Sequence, residues 1–368
     1  MDNQIIIIGS GISGATLAER FATNGKKVLI IEKRDHIGGN CYDYFNQAKI
    51  LVPKYGPHFF HTNDQQVWQY ISRFTDWHQY EHRVLSYADK KLVPIPVNIT
   101  TVNLLFDLNI QTEAEMKLWL TKNTQLIKNP KNSKQLFLSR IGNKLYQKLF
   151  KNYTIKQWAT DPKNISPAVA GRIPVHTNFD DRYYTDKYQT MPKNGYWKIF
   201  EEMLRHKNIT ILTKTDYFKI KNKFANFEKL FFTGKIDQFF DYRFGKLQYR
   251  SLSFREKTLD KKWFQSRAQI NYPNDFKFTR ITEPKHATFQ KNSSTTIIYE
   301  YPSWGKEPFY PVLSKNNLEI YKKYQQQAQK LKKQGIFFLG RLGSYQYLNM
   351  DQAFKQALEL FNKLNNNF

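Results

Sequence analysis

Gly9-Ser10-Gly11-Ile12-Ser13-Gly14 constrains this chain more than any other stretch. It follows Gln4-Ile5-Ile6-Ile7-Ile8, an apolar run of strand length. It opens a segment from Ala15 to Asn24 in which Ala15, Ala18, Phe21 and Ala22 share one side of a helix, and Gly25 ends that helix. Val28-Leu29-Ile30-Ile31 reads as a second strand, with Glu32 at its end. The spacing predicts a strand, a glycine turn, a helix and a strand in immediate succession. Gly9 makes the turn, Gly11 lets a pyrophosphate approach the backbone, and Gly14 lets the helix pack on the strand. Ser13 sits in the same turn. The helix start then faces phosphates and Glu32 accepts ribose hydroxyls, so the unit binds a dinucleotide.

The residues after Glu32 bear on which dinucleotide. Lys33-Arg34-Asp35-His36-Ile37-Gly38-Gly39-Asn40 places a glycine pair just behind the acidic strand end. This resembles the FAD-binding folds of the amine oxidase and glutathione reductase type, where such a pair passes close to the cofactor. An ordinary glycine loop is the other reading of the same residues. The predicted cofactor contacts here are Gly9, Gly11, Ser13, Gly14, Glu32, Lys33, Gly39 and Asn40.

Composition narrows the rest. The net charge is +26 over 368 residues, yet the lysines are scattered and pairs such as Lys261-Lys262 are isolated. That pattern suits solvated faces with a local basic cleft for an anionic substrate, and no nucleic-acid partner is expected. Cys41 is the only cysteine, which excludes an intrachain disulfide framework and a cysteine zinc cluster and suits a reducing cytoplasm. The amino terminus enters its first strand without a basic region or a signal-length apolar run, and no run approaches the ~18 residues of a membrane span.

The predicted fold class is α/β: an FAD-binding, Rossmann-like parallel sheet domain with an inserted helical domain and an antiparallel β-sheet domain. Residues 1–76, 190–237 and 312–368 are assigned to the first, residues 97–170 to the second, and residues 77–96, 171–189 and 238–311 to the third. Thr112-Glu113-Ala114-Glu115 resembles a capping box at the head of a helix, and Leu136, Leu138, Ile141, Leu145, Leu149 and Phe150 continue at helical spacing. Runs at Gln248 to Phe254, Ala268 to Tyr272, Phe278 to Ile281 and Thr295 to Tyr301 suit antiparallel strands. The strands around Phe231 and Phe338 are expected to join the first strand pair in one parallel sheet. Asp351 is placed to cap a final amphipathic helix.

Three groups of segments carry the chemistry: Tyr55-Gly56-Pro57-His58-Phe59-Phe60-His61-Thr62, then Asn152 to Trp158 with Arg172-Ile173-Pro174-Val175, and finally Phe278 to Glu283, Glu307 to Val312 and Gly340 to Asp351. His58, His61 and Asp64 have metal-ligand spacing, but Gly56-Pro57 works against a helix that would put them on one face, so no metal is expected. The histidines instead pack beside the cofactor or serve as structural residues.

These segments, with Phe240-Asp241-Tyr242-Arg243-Phe244-Gly245, resemble the UDP-galactopyranose mutase family of bacterial flavoenzymes over nearly the whole chain. The resemblance implies FAD that is active when reduced and a UDP-sugar substrate. It implies interconversion of UDP-galactopyranose and UDP-galactofuranose through a bond between flavin N5 and the sugar, with the N-acetylated sugar nucleotide a second possible substrate. It further implies a role in cell-surface polysaccharide synthesis and a homodimer. Arg172 and Arg280 match the arginines that clamp the diphosphate and, with His61, are the expected catalytic residues. Phe150, Tyr153, Trp158, Tyr183, Asn271, Tyr310 and Tyr347 match substrate contacts, Trp158 in a mobile loop. His58, Thr233, Gly234, Arg341 and Asn349 join the cofactor set, Asn349 standing where many relatives carry an acid. The alternative is an FAD-dependent oxidoreductase of the amine oxidase type, which the same fold allows.

Overall fold

Four successive isoleucines have no polar side to turn to water, so a strand made of them must be covered on both faces. In the computed structural model, which describes residues 4–224, 226–305 and 307–365, Ile5–Ile8 is the central strand of a five-stranded sheet. The order is Ile209–Leu212, Val28–Ile31, Ile5–Ile8, Lys229–Phe232, Ile336–Phe338, and every pairing is parallel. Ile5 and Ile7 face one core, with Phe21, Phe231, Phe337 and Phe354, while Ile6 and Ile8 face another, with Leu29, Ile31 and Phe232. The expected grouping of the first strand pair with the Phe231 and Phe338 strands therefore holds, and Ile209–Leu212 adds the edge beyond Val28–Ile31.

The helix after the glycine turn runs Ile12–Thr23, beginning three residues before Ala15, and Asn24 caps it. It lies against the last helix, Met350–Asn365, with Phe21 and Phe361 edge to face at 5.0 Å. Two glycines set these close approaches. A Cβ at Gly14 would stand 2.0 Å from the Gly9 carbonyl oxygen. Gly39 takes φ +58°, and a Cβ there would stand 2.8 Å from Gly11 Cα. The second turn is tied to the first by the Gly38 amide, which donates to Ser10 O at 3.0 Å.

Asp351 does not cap the last helix. Asn349 flanks the helix, its carbonyl accepting from Ala353 N at 3.1 Å and its amide donating to Gln352 Oε1 at 2.9 Å. The helix thus starts one residue before Asp351, whose Oδ2 accepts from Thr62 Oγ1 at 3.3 Å.

A seven-stranded sheet forms the second layer, in the order Tyr310–Pro311, Tyr249–Leu259, Thr295–Ser303, Arg280–Thr282, Gln269–Asn271, Val84–Ala88, Lys91–Ile95. It contains all four antiparallel runs read from alternation, and its one parallel pairing joins Gln269–Asn271 to Val84–Ala88. Helices Ile99–Phe106, Glu113–Asn123 and Ser133–Leu145 pack against its Val84–Ile95 end. Thr112 and Glu115 make the expected reciprocal cap: Glu115 N donates to Thr112 Oγ1 at 3.3 Å and Thr112 N to Glu115 Oε2 at 3.0 Å. A π-helical turn, Tyr146–Lys151, leads into the short helix Asn152–Trp158. A small antiparallel sheet of Phe60–Thr62, Tyr188–Pro192 and Trp77–Gln79 links the two layers.

The Gly14 contact yields a direct test. Gly14→Ala must separate the first helix from its turn, and overpacking of this kind costs about 1–3 kcal/mol or more. A lowered melting temperature together with lost cofactor is expected, and a variant that melts like the parent while binding the dinucleotide would show that the helix can move away at no cost.

Candidate active site

The carboxyl ends of the parallel strands converge on a cavity of about 640 Å³. Its lining includes Gly9, Gly11 and Ser13 from the turn, Glu32, Lys33, Gly39 and Asn40 from the segment after the second strand, and Thr233, Gly234, Arg341, Asn349 and His58 from other segments. Gly14 does not line it, in keeping with its role in packing helix on strand. The Ile12–Thr23 helix starts at this cavity with no side-chain cap, so its first amides and its dipole are offered to an anion. Glu32 ties the strand end to the turn: its Oε2 accepts from Ser10 N at 2.8 Å and Ser10 Oγ at 2.7 Å, and its Oε1 from Arg34 N at 2.9 Å. The uncapped helix start, the carboxylate beyond it and a cavity in the range of cofactor sites fit a flavin adenine dinucleotide.

Across the cavity, Glu307 is bound by Lys33 Nζ at 3.0 Å and by Arg34 Nη2 at 3.2 Å. His58 lines the cavity with Cys41 and Arg341. Loss of solvent, with the Arg341 charge adding to it, pushes the His58 imidazole down to about 4. It is neutral at pH 7, and Nδ1, 2.9 Å from Gly56 O, must carry the proton because a carbonyl only accepts.

Behind Arg341 and Asn349 lies a cluster of tyrosines and arginines. Tyr310 and Tyr347 stack at 5.0 Å, and Trp158 packs on both at 6.2 and 5.9 Å. Two guanidinium groups approach the Tyr347 ring, Arg172 at 3.8 Å and Arg341 at 5.4 Å from its centre. Arg172 is exposed and also donates to Asn349 Oδ1, so Asn349 touches both the cofactor cavity and the arginine. Arg280 is more enclosed. Its Nη2 donates to Tyr153 Oη at 2.6 Å, and its Nε lies 3.1 Å from Glu300 Oε1. Burial is the largest single influence and opposes the Arg280 charge, but Glu300 together with Tyr153, Tyr310 and Tyr183 holds the guanidinium above its ordinary range. Burial likewise raises the Tyr183 hydroxyl, while Arg280 and Arg172 both pull it back, so the two arginines act on one tyrosine.

Sequence reading and structure differ in several places. Phe150 is buried in the helical core, 4.7 Å from Phe137, and is not presented to the arginines. The π-helical turn accounts for this, since its extra residue per turn puts Phe150 and Tyr153 on different faces. Trp158 is the last residue of a helix rather than part of a loop, and is 5% exposed. Asn271 sits opposite Arg280 in the strand register but accepts from Gln269 Nε2 at 2.9 Å, and Gln269 Oε1 is the group that approaches Arg280, at 3.4 Å. His61 is outside the cavity wall: it stacks on Tyr184 at 3.6 Å and its Nδ1 lies 3.0 Å from Asp186 Oδ2. Glu300, Gln269, Tyr184 and Asp186 were missed. For Glu300 the signal lay in the Thr295 to Tyr301 alternation, which sets it opposite Arg280 once the strands pair. Among the described residues, no group of three or more His, Cys, Asp and Glu side chains could hold a metal ion.

Comparison with known proteins places this geometry. Residues 148–347 match the UDP-galactopyranose mutase family model, and residues 7–74 match an NAD(P)-binding Rossmann-like domain. The chain is 36% identical to dTDP-fucopyranose mutase of Escherichia coli over 97% of each chain. It is 35% identical to a probable UDP-galactopyranose mutase of Klebsiella pneumoniae over 98% of this chain and 94% of that one. A crystal structure of reduced UDP-galactopyranose mutase superposes with a TM-score of 0.78 at 15% identity, covering 100% of this chain and 95% of that one, and so shares the fold. With a family match over more than half its length and relatives above 30% identity over nearly all of it, the chain belongs to the UDP-galactopyranose mutase family.

Proposed function

We propose that the protein is an FAD-dependent isomerase that interconverts UDP-galactopyranose and UDP-galactofuranose in the cytoplasm, as a homodimer. The observation that carries this reading is the pair of arginines, Arg172 and Arg280, set among tyrosines on the far side of a wall shared with the cofactor cavity. A nucleotide-sugar diphosphate needs paired positive charge with hydrogen-bonding hydroxyls, and a sugar attached to it must then reach the cofactor. Arg341 and Asn349 belong to that common wall.

Bound in reduced form, the flavin supplies the nucleophile for the anomeric carbon, so no protein nucleophile is required. The protein's own work is electrostatic and positional. Arg280, paired with Glu300 and bonded to Tyr153, stabilises the departing diphosphate from one side, and Arg172 does so from the other. Tyr183, Tyr310 and Tyr347 offer hydroxyls to the phosphates, with Tyr153 stacking on the base. Trp158 excludes water from the sugar when the segment that follows it closes. His58, neutral with Nδ1 protonated, keeps Nε2 as an acceptor at the cofactor. His61 and Asp186 support Tyr184 behind the cluster.

A second substrate class is favoured by one finding, the 36% identity to an enzyme named dTDP-fucopyranose mutase. Isomerisation by dithionite-reduced protein, followed by chromatography, distinguishes them. UDP-galactose is expected to turn over faster than UDP-N-acetylgalactosamine or dTDP-fucose. A preference for the thymidine nucleotide would reassign the substrate, and peroxide production from an amine in air would move the protein to the oxidoreductases.

Arg172→Ala and Arg280→Ala should each retain FAD and lose isomerisation. Removing one charged partner from a desolvated diphosphate costs about 2–5 kcal/mol, or roughly 30-fold or more in kcat/KM. Parent-like turnover removes that arginine from the clamp. Titration with UDP should change tryptophan fluorescence in the parent and change it much less in Trp158→Phe. Equal changes in the two would exclude Trp158 from the response.

A further inference from the structure

The Gln269–Asn271 and Arg280–Thr282 strands are joined by a bend, residues 272–279, whose two ends are closed by Tyr272 N to Thr279 O at 2.8 Å and whose last residue is tied to the next strand by Thr279 N to Glu300 O at 2.9 Å. Three carbonyls of this bend turn inward, and all three meet one ammonium group. Lys156 Nζ donates to Tyr272 O, to Phe276 O at 2.9 Å and to Phe278 O at 3.2 Å. An ammonium has three protons, so the three carbonyls use all of them.

Position gives this cage its meaning. Lys156 lies in the Asn152–Trp158 helix, three residues after Tyr153 and two before Trp158. Phe278 lies two residues before Arg280, and Tyr272 directly follows Asn271. The cage therefore joins the helix that carries the aromatic contacts to the hairpin that carries the buried arginine. A second clip runs beside it: Asn152 Nδ2 donates to Asn274 Oδ1 at 3.0 Å, and Asn274 Nδ2 to Lys148 O at 3.0 Å. The far end of the helix is held from the sheet by Arg250, whose Nε donates to Gln157 O at 2.8 Å and Nη2 to Lys156 O at 3.3 Å.

We propose that Lys156 is a positioning residue for the reaction: its charge locks the 272–279 bend to the helix and so fixes Arg280 against Tyr153. The role rests on the diphosphate reading of Arg280 given above, but the lock itself does not. Charge matters because the donors face only carbonyls. Hydrogen bonds from a charged donor are about twice as strong as neutral ones, and a neutral amine has only two protons for three acceptors. Loss of solvent pushes the Lys156 ammonium down to about 8, with Asp275 of the same bend working the other way. The lock is therefore fully charged below that pH and weakens as pH rises through it. Arg250, the other cation touching this helix end, does not lose its charge in that range.

The test uses the FAD-loaded full chain as parent, Lys156→Arg and Lys156→Met, with two readouts. Hydrogen exchange reads the lock. Lys156→Met should speed exchange of the amides of residues 274–279 on the order of tenfold, and Lys156→Arg should restore it. Steady-state kinetics read the role. Lys156→Met should raise KM for UDP-galactose on the order of tenfold, with a smaller change in kcat. In the parent, KM should rise above pH 8, and Lys156→Arg should move that rise upward by about a unit or more. Unchanged exchange in Lys156→Met overturns the lock whatever the reaction is. Faster exchange with unchanged KM overturns the positioning role. If Lys156→Met does not fold, an alkaline rise in Lys156→Arg at the parent's pH overturns the proposal. A parent that isomerises no sugar nucleotide defeats the functional reading alone, and the exchange measurement still decides the lock.

Discussion

The site depends on one strand that has no exposed face. Ile5–Ile8 is apolar on both sides, so it sits at the middle of the sheet, and its neighbours are set in register with it: Ile8 beside Ile31 and beside Phe232. The residue that follows each of these strands is therefore delivered to the same edge, Gly9 after Ile8, Glu32 after Ile31 and Thr233 after Phe232. Hydrogen bonds finish the alignment, Gly9 N to Ile31 O at 2.9 Å and Thr233 N to Ile8 O at 3.1 Å. The cofactor cavity is thus a consequence of strand register, and ligands in open α/β sheets collect at such carboxyl edges.

The second half of the site is built on the opposite principle. Arg280, Gln269 and Glu300 come from three neighbouring strands: Glu300 is paired with Arg280 by register, and Gln269 reaches it diagonally from two residues along its strand. A guanidinium removed from water needs a partner, and Glu300 supplies one without capping the Nη2 edge that meets Tyr153. The charge is retained and the direction of the fork is fixed.

This contrast explains what could be read from the residues. The cofactor unit was legible because its parts are contiguous: turn, helix and acid lie between Gly9 and Glu32, and each has a steric or electrostatic reason for its type. The strands of the second sheet were legible as alternation, but which side chains they would bring together was not, since Glu300 and Gln269 meet Arg280 only through long-range register. Helical spacing grouped Phe150 with Leu138, Ile141, Leu145 and Leu149, and it packs in that core beside Phe137, although a π-helical turn at Tyr146–Lys151 interrupts the regular winding. Asp351 was misassigned as a cap because helix boundaries are the least readable feature of a helix: the helix begins at Met350, which puts Asp351 inside the first turn.

Asn349 has a kinetic consequence. Arg172 is exposed and rests on a tyrosine face and a neutral amide, neither of which cancels its charge. A carboxylate in place of that amide would form an ion pair, and an incoming diphosphate would then have to displace a bound anion. With the amide, the positive charge of the exposed Arg172 is left without an ion-pair partner at Asn349. The field reaches outward over about a Debye length, roughly 8 Å at physiological salt. On the proposed reading of Arg172 as one arm of a diphosphate clamp, association of a dianionic nucleotide sugar is steered, and it slows as ionic strength rises.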